Sequence, residues 1–181
     1  MEIEIRAKLK NAHIVINKLI KLGAIKHGEK KIIDYYFGDI GIYEKLGYSF
    51  WIRLREIEGG KIELAYKGST GKDGVYEEYE QEIQDLSVAL KIFTKMGLKN
   101  EITVQKKRIS FKLGVISIEI DDFGDWGTYI EAEIISNSLD KKVLYDLFAD
   151  LNISKNNIIE KGFISLMLEE KKSPFSKWIK N

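Results

Sequence analysis

Met1-Glu2-Ile3-Glu4-Ile5-Arg6-Ala7-Lys8-Leu9 alternates without a break. In an extended chain Glu2, Glu4, Arg6 and Lys8 fall on one side and Ile3, Ile5, Ala7 and Leu9 on the other. The same two-residue period returns at 30–37, 48–56, 61–67, 75–83, 102–112, 115–121 and 129–135, which predicts about eight strands. Each repeats the division. Arg53 and Arg55 oppose Phe50, Ile52 and Leu54; Lys61, Glu63 and Lys67 oppose Ile62, Leu64 and Tyr66. Glu78, Glu80 and Glu82 share a side with Tyr76, and Lys106 and Arg108 oppose Ile109 and Phe111. Glu119 and Asp121 oppose Ile116, Ile118 and Ile120, and Glu131 and Glu133 oppose Ile130, Ala132 and Ile134.

Glycine-rich turns separate many of these segments, at Gly59-Gly60, Gly68 to Gly74, Gly114, and Gly124 to Gly127. Apolar residues at helical spacing predict helices near 12–22, 86–96, 140–151 and 162–171. Strands that follow one another in sequence indicate an antiparallel α+β fold. Taken singly, a charged strand side is simply a wet face. Taken over all the strands, that reading weakens, because the polar side chains are nearly all ionised, with little Ser or Thr. The amphipathic helices also need an apolar surface to cover, and the other strand faces are the only large one. With helices packed outside, the ionised rows turn inward across a closed or nearly closed antiparallel β-barrel.

The chain has 181 residues, 44% apolar and 31% charged, enough for one domain at 1–170 followed by a tail at 171–181. The absence of cysteine excludes disulfides and thiolate zinc sites and suits the cytoplasm. No apolar run approaches the ~18 residues of a membrane span, so no membrane partner is expected. Net charge is +1 from 29 Lys and Arg against 28 Asp and Glu, and the basic strand residues are interleaved with acids. Both features weigh against nucleic acid. An interior holding both signs needs a ligand and water to be tolerable. Carboxylates at spacing two on neighbouring strands suit a hard cation such as Mg²⁺ or Mn²⁺. Interleaved Arg and Lys suit the oxygens of a polyanion. A metal-bound polyphosphate asks for both. His13 and His27 read as surface residues, and Gly68 to Gly74 as a hairpin turn, since no Gly-Lys-Ser arrangement opens a helix there. Trp51, Trp126 and Trp178 read as packing residues.

Glu2-Ile3-Glu4-Ile5-Arg6 also resembles the N-terminal E-x-E-x-K motif of the CYTH family of class IV adenylate cyclases and thiamine or inorganic triphosphatases. Further elements follow in that family's order. Asp34-Tyr35-Tyr36-Phe37 resembles its D-x-Y-F strand, and Arg53-Leu54-Arg55 its R-x-R strand. Leu64-Ala65-Tyr66-Lys67-Gly68 resembles its strand ending in Lys-Gly, and Lys106-Lys107-Arg108 its K-x-R element. Asp121 through Glu133 resembles the aspartate, glycine turn and E-x-E of its last strands. The resemblance runs from residue 1 to about 168.

It implies a triphosphate tunnel metalloenzyme that hydrolyses inorganic or organic triphosphate. Alternatives are a class IV adenylate cyclase acting on ATP and a non-catalytic polyphosphate or nucleotide binder. Metal ligands are expected at Glu2, Glu4, Asp121, Glu131 and Glu133, with Glu4, Arg6 and Glu131 catalytic. Phosphate contacts are expected from Arg6, Lys8, Arg53, Arg55, Lys67, Lys106, Arg108 and Lys161. A homodimer is compatible with this picture. The sequence departs from the family pattern at Arg6, where Lys is usual, and at Tyr76, where R-x-E-x-E would begin with Arg. It departs again at Thr128, in place of an acid, and at Lys161-Gly162-Phe163. Arg6 keeps the charge but gives up any proton-transfer role, because its pKa stays high.

Overall fold

A computed structural model describes residues 2–70, 75–135 and 140–173. The eight expected strands form, and a ninth short one joins them: β1 (Glu2–Leu9), β2 (Ile25–Gly38), β3 (Phe50–Ile57), β4 (Lys61–Ser69), β5 (Val75–Ile83), β6 (Lys99–Leu113), β7 (Ile116–Asp122), β8 (Thr128–Ile135) and β9 (Ile158–Ile159). Their order is β5-β4-β3-β2-β6-β7-β8-β1-β9. Every pairing whose register is resolved is antiparallel. The expected helices are α1 (Ala12–Lys21), α3 (Leu86–Lys95), α4 (Lys142–Asp150) and α5 (Phe163–Glu170). The residues after Ser173, with Pro174, Phe175 and Trp178, lie outside the described residues, as do 71–74 of the expected glycine hairpin.

Local chemistry sets the helix limits. The Oδ1 atoms of Asn11 and Asp85 accept from Ile14 N and Val88 N at 3.3 and 2.9 Å, satisfying donors that the first turns leave open. One helix, α2 (Ile40–Leu46), was not expected from the sequence. It begins on Asp39, whose Oδ1 accepts from Ile42 N at 2.8 Å, and ends on Gly47. It carries the buried Tyr43 ring against Phe50 and Trp51, with the Tyr43 hydroxyl donating to the Phe50 carbonyl. Gly38 lacks a side chain for a reason: a Cβ there would lie 2.8 Å from the Trp51 ring.

Two compact units share the chain. The first comprises residues 1–31 and 106–160. Its core joins Ile5 and Ala7 of β1, Phe111 of β6, Ile116, Ile118 and Ile120 of β7, and Ile130, Ala132 and Ile134 of β8. Val15 and Leu19 of α1 and Leu144, Leu147 and Phe148 of α4 cover them. The second comprises 32–105 and 161–181, with Phe37, Leu54, Phe93 and Leu98 at its centre and the apolar side of α3 packed on them. In both, helices lie on the apolar strand sides, as the alternation requires. No described helix is long and apolar enough to cross a membrane.

Replacing Phe148, fully buried, with Ala should cost about 3–5 kcal/mol in urea unfolding. Ile14→Ala, on the exposed side of α1, should stay within about 0.5 kcal/mol.

Candidate functional site

The sides of the strands that face away from the helices carry charge, and part of that charge is buried. In the first unit Glu4 and Arg6 are 1% and 2% exposed and Asp121 is 1% exposed, with Lys106 and Glu131 also buried. A wet strand face would leave such groups in water. Register explains which of them meet. Glu4 lies opposite Glu133, Arg6 opposite Glu131 and Lys8 opposite Tyr129 across β1 and β8. Glu131 then faces Glu119, and Tyr129 faces Asp121, across β8 and β7. Asp121 in turn faces Arg108, and Glu119 faces Ser110, across β7 and β6.

Three groupings result. Carboxylate oxygens of Glu2, Glu4 and Glu133 come within 4.8 Å of one another. Beside them the Arg6 guanidinium donates to Glu131 Oε2 from Nε at 2.9 Å and from Nη2 at 2.7 Å. Arg6 Nη2 also donates to Glu4 Oε1. The third grouping is around Asp121, which accepts from Arg108 Nε and Nη2 at 2.7 and 2.6 Å and from Lys106 Nζ at 2.8 Å. Of the five expected metal ligands, the structure therefore brings together Glu2, Glu4 and Glu133. It leaves Glu131 on Arg6 and Asp121 between two cations. Lys8 is exposed and sits 5.5 Å from the Tyr129 ring centre. Gly127, at φ +103°, makes room for it, since a Cβ there would lie 2.7 Å from Lys8 Cε.

The second unit builds a comparable face from other strands. Asp34 of β2 accepts from Arg55 Nε at 2.6 Å and Nη2 at 3.0 Å, a two-pronged pair. Arg53 Nη2 donates to Glu80 Oε2 at 2.9 Å and Glu78 Oε1 at 3.3 Å. Its buried Nε has no hydrogen-bond partner among the described residues. Lys67 lies 3.6 Å from Glu78 and 4.6 Å from the Tyr76 ring centre, so Tyr76 forms a cation–π contact where the family pattern has Arg. Burial, with a smaller push from Asp34, raises the Tyr36 phenol to about 12. Lys161 is less enclosed and donates to Glu169 Oε1 at 2.8 Å.

Asp34 and Glu119 were not among the expected site residues. Each had a sequence signal: Asp34 opens the D-x-Y-F strand, and Glu119 shares a strand side with Asp121. Burial raises the Glu119 carboxyl above its ordinary value, against the pull of Arg108 at 3.7 Å and a 2.7 Å hydrogen bond from Ser110. At Asp121 burial also pushes upward, but Arg108 and Lys106 outweigh it and hold the carboxyl well below the usual range. A lowered folded-state pKa means that this stability is present above the unfolded value of about 4 and is lost as pH falls below it. Asp121→Asn should thus cost about 3–5 kcal/mol at pH 7 by urea unfolding, since two buried cations lose their counter-charge. The gap from wild type should narrow steadily as pH drops from about 4 toward the acid limit. An equal gap at pH 7 and pH 3 would contradict the pairing.

The CYTH domain model matches residues 1–163. A Methanocaldococcus jannaschii protein described as a "putative adenylate cyclase" is 31% identical over 175 residues, covering 92% of this chain and 98% of its own. A solved Pyrococcus horikoshii structure, the PH1012 protein, aligns with a TM-score of 0.82 at 27% identity, over 92% of this chain and 99% of its own. A Hippeastrum protein described as a "putative adenylyl cyclase" with a dominant triphosphatase activity shares the fold at a TM-score of 0.64 and 14% identity, covering 95% of each chain. The ordered motifs, the buried charged strand faces and these matches agree: the chain belongs to the CYTH family.

Proposed function

We propose that this protein is a metal-dependent hydrolase of a triphosphate, inorganic or organic. The observation that carries this reading is the convergence of Glu2, Glu4 and Glu133 oxygens within 4.8 Å, on a strand face that also holds buried Arg6 and Lys106. The donor set fits the group. All three ligands are carboxylates, which suit Mg²⁺ or Mn²⁺ and not a soft metal. When bound there, such a cation supplies positive charge against the charge that develops on the transferred phosphoryl group.

The remaining work falls to this chain's own side chains. Arg53, Arg55, Lys67, Lys106 and Arg108 would bind phosphate oxygens, with Lys8 and Lys161 as outlying contacts. Arg53 is the best prepared of them, because its buried Nε donor lacks a protein acceptor and an anionic oxygen would supply one. Arg55 and Arg108 are oriented by Asp34 and Asp121 and keep further N–H groups for a ligand. Glu131, fixed by Arg6, would help orient the attacking water. Burial of these groups keeps their charges weakly screened, so each contact acts strongly on a polyanion.

The second reading, adenylate cyclase, is favoured by the name of the Methanocaldococcus jannaschii relative. It requires a ribose 3′-hydroxyl to attack the α-phosphorus with loss of pyrophosphate. Recognition of a base would also be needed, which the hydrolysis of inorganic triphosphate does not require. Both readings place the protein in the cytoplasm.

Incubation of the purified protein with tripolyphosphate, ATP and thiamine triphosphate under Mg²⁺ or Mn²⁺ separates them. Phosphate release is the expected result, cyclic AMP supports the second reading, and tight binding without turnover would indicate a sensor. Glu133→Gln should raise the metal concentration for half-maximal turnover by at least about 10–100-fold, since even partners behind the ligands have effects of that size. Arg53→Gln should lower tripolyphosphate turnover by about 10²–10³-fold, the usual effect of losing one charge-stabilising contact. Normal rates in both variants would remove the basis of the proposal.

A further inference from the structure

The charge of this chain is balanced as a whole but not locally. Residues 10–31, which form α1 and the outer end of β2, hold six of the 29 Lys and Arg and one of the 28 Asp and Glu. The whole chain carries +1, so this basic segment stands on an otherwise acidic background. Lys10, Lys21 and Lys30 are exposed and have no acidic partner among the described residues. Lys26 lies 3.6 Å from Glu29, and both are exposed.

The same segment exposes apolar surface. Val15 and Leu19 of α1 turn inward to the core. Ile14, 56% exposed, shares the outward side of the helix with Lys21, seven residues on. Gly23, at φ +88°, then turns the chain back, with its N donating to Ile20 O at 3.0 Å and Ala24 N donating to Leu19 O at 2.9 Å. That closure gathers Ile20, Leu22 and Ile25 at one end of the helix, with Ile25 67% exposed. A helix C-terminus favours cations, which accounts for Lys18 and Lys21 but for none of these four aliphatic side chains.

We propose that the outward side of α1 and the first residues of β2 form a docking face for an anionic lipid surface. The lysines lie against headgroup phosphates, while Ile14, Ile20, Leu22 and Ile25 enter the boundary of the acyl chains. A nucleic acid would engage the lysines alone. Residues 10–31 contain no Phe, Tyr or Trp to stack on a base and no Arg to read one. A phosphodiester backbone also gives nothing to four aliphatic side chains. The lack of a spanning helix speaks to crossing a membrane, not to resting on one. This face lies on the helix-covered, apolar side of the first unit's strands, so it is independent of the reaction proposed for their charged side.

The test sediments the purified protein with vesicles of phosphatidylcholine, alone or mixed with phosphatidylglycerol, and measures binding of a single-stranded RNA of mixed sequence in parallel. Binding to the mixed vesicles only is expected, weakening as salt rises. Each lysine near such a surface strengthens binding about 5-fold, so Lys10→Gln, Lys21→Gln and Lys26→Gln together should weaken it by about 100-fold. Ile14→Ser with Ile25→Ser should weaken it by at least about 10-fold and leave the salt dependence in place. All five positions are exposed, so both variants should fold as wild type does, which urea unfolding checks. Equal binding to the neutral vesicles overturns the proposal, as does a lysine variant that binds like wild type. An isoleucine variant with unchanged binding also overturns it, because charge alone would then explain the contact. RNA binding in place of vesicle binding identifies a nucleic-acid face, and no binding to either removes the docking face altogether.

Discussion

The pairing of Arg6 with Glu4 and Glu131 is the interaction on which the rest depends. It lies on the strand side that faces away from α1 and α4, in a place where water cannot screen it. Buried ion pairs seldom add net stability, because desolvation offsets most of the attraction. Their retention along β1, β6, β7 and β8 therefore suggests a role other than holding the fold. The apolar sides already do that: sixteen buried residues form the core of the first unit without help from any charge.

A division of labour between the two sides of each strand follows. On one side, volume and shape matter, and the chain spends Ile, Leu, Phe and Val there. On the other, sign and direction matter. Two of the four arginines are each matched to an aspartate by two hydrogen bonds, Arg55 to Asp34 in the second unit and Arg108 to Asp121 in the first. Such pairs fix the plane of the guanidinium, which a single contact would not. Side chains held in this way need little further ordering when they meet a ligand.

Much of this was legible in the sequence, for a physical reason. A period of two survives in every strand because a one-residue slip would move the whole apolar set to the wrong side. The strands at 2–9 and 75–83 are found as expected, and α1, α3, α4 and α5 differ from expectation by only a few terminal residues. β2 and β6 are longer than the alternation indicated. Their outer ends, Lys26 to Lys31 and Lys99 to Glu101, are mostly exposed and lack the apolar partner positions that announce a strand. The seven residues of α2 are too few to display a helical period, and only Asp39 and Gly47 marked its limits. The site was legible in its residue types and in which side each occupies, but not in its pairings.

That last gap has a definite source. Spacing of two within a strand says that Glu2, Glu4, Arg6 and Lys8 share a side; it does not say which carboxylate each cation meets. The choice is made by register between β1 and β8, which sets Arg6 opposite Glu131 and Glu4 opposite Glu133. Register in turn is fixed by the apolar sides, where Ile5 meets Ala132 and Ala7 meets Ile130 in the core. Core packing thus selects which acids meet Arg6 and which acids are grouped, with Glu4 belonging to both sets. Asp121 shows the same logic from the other direction. As an acid on an acid-rich strand it reads as a metal ligand, yet β6 delivers two cations to it and none to Glu133 through the resolved pairings. The grouping of carboxylates in this protein is therefore a property of strand alignment, written jointly by the residues on both sides of the sheet.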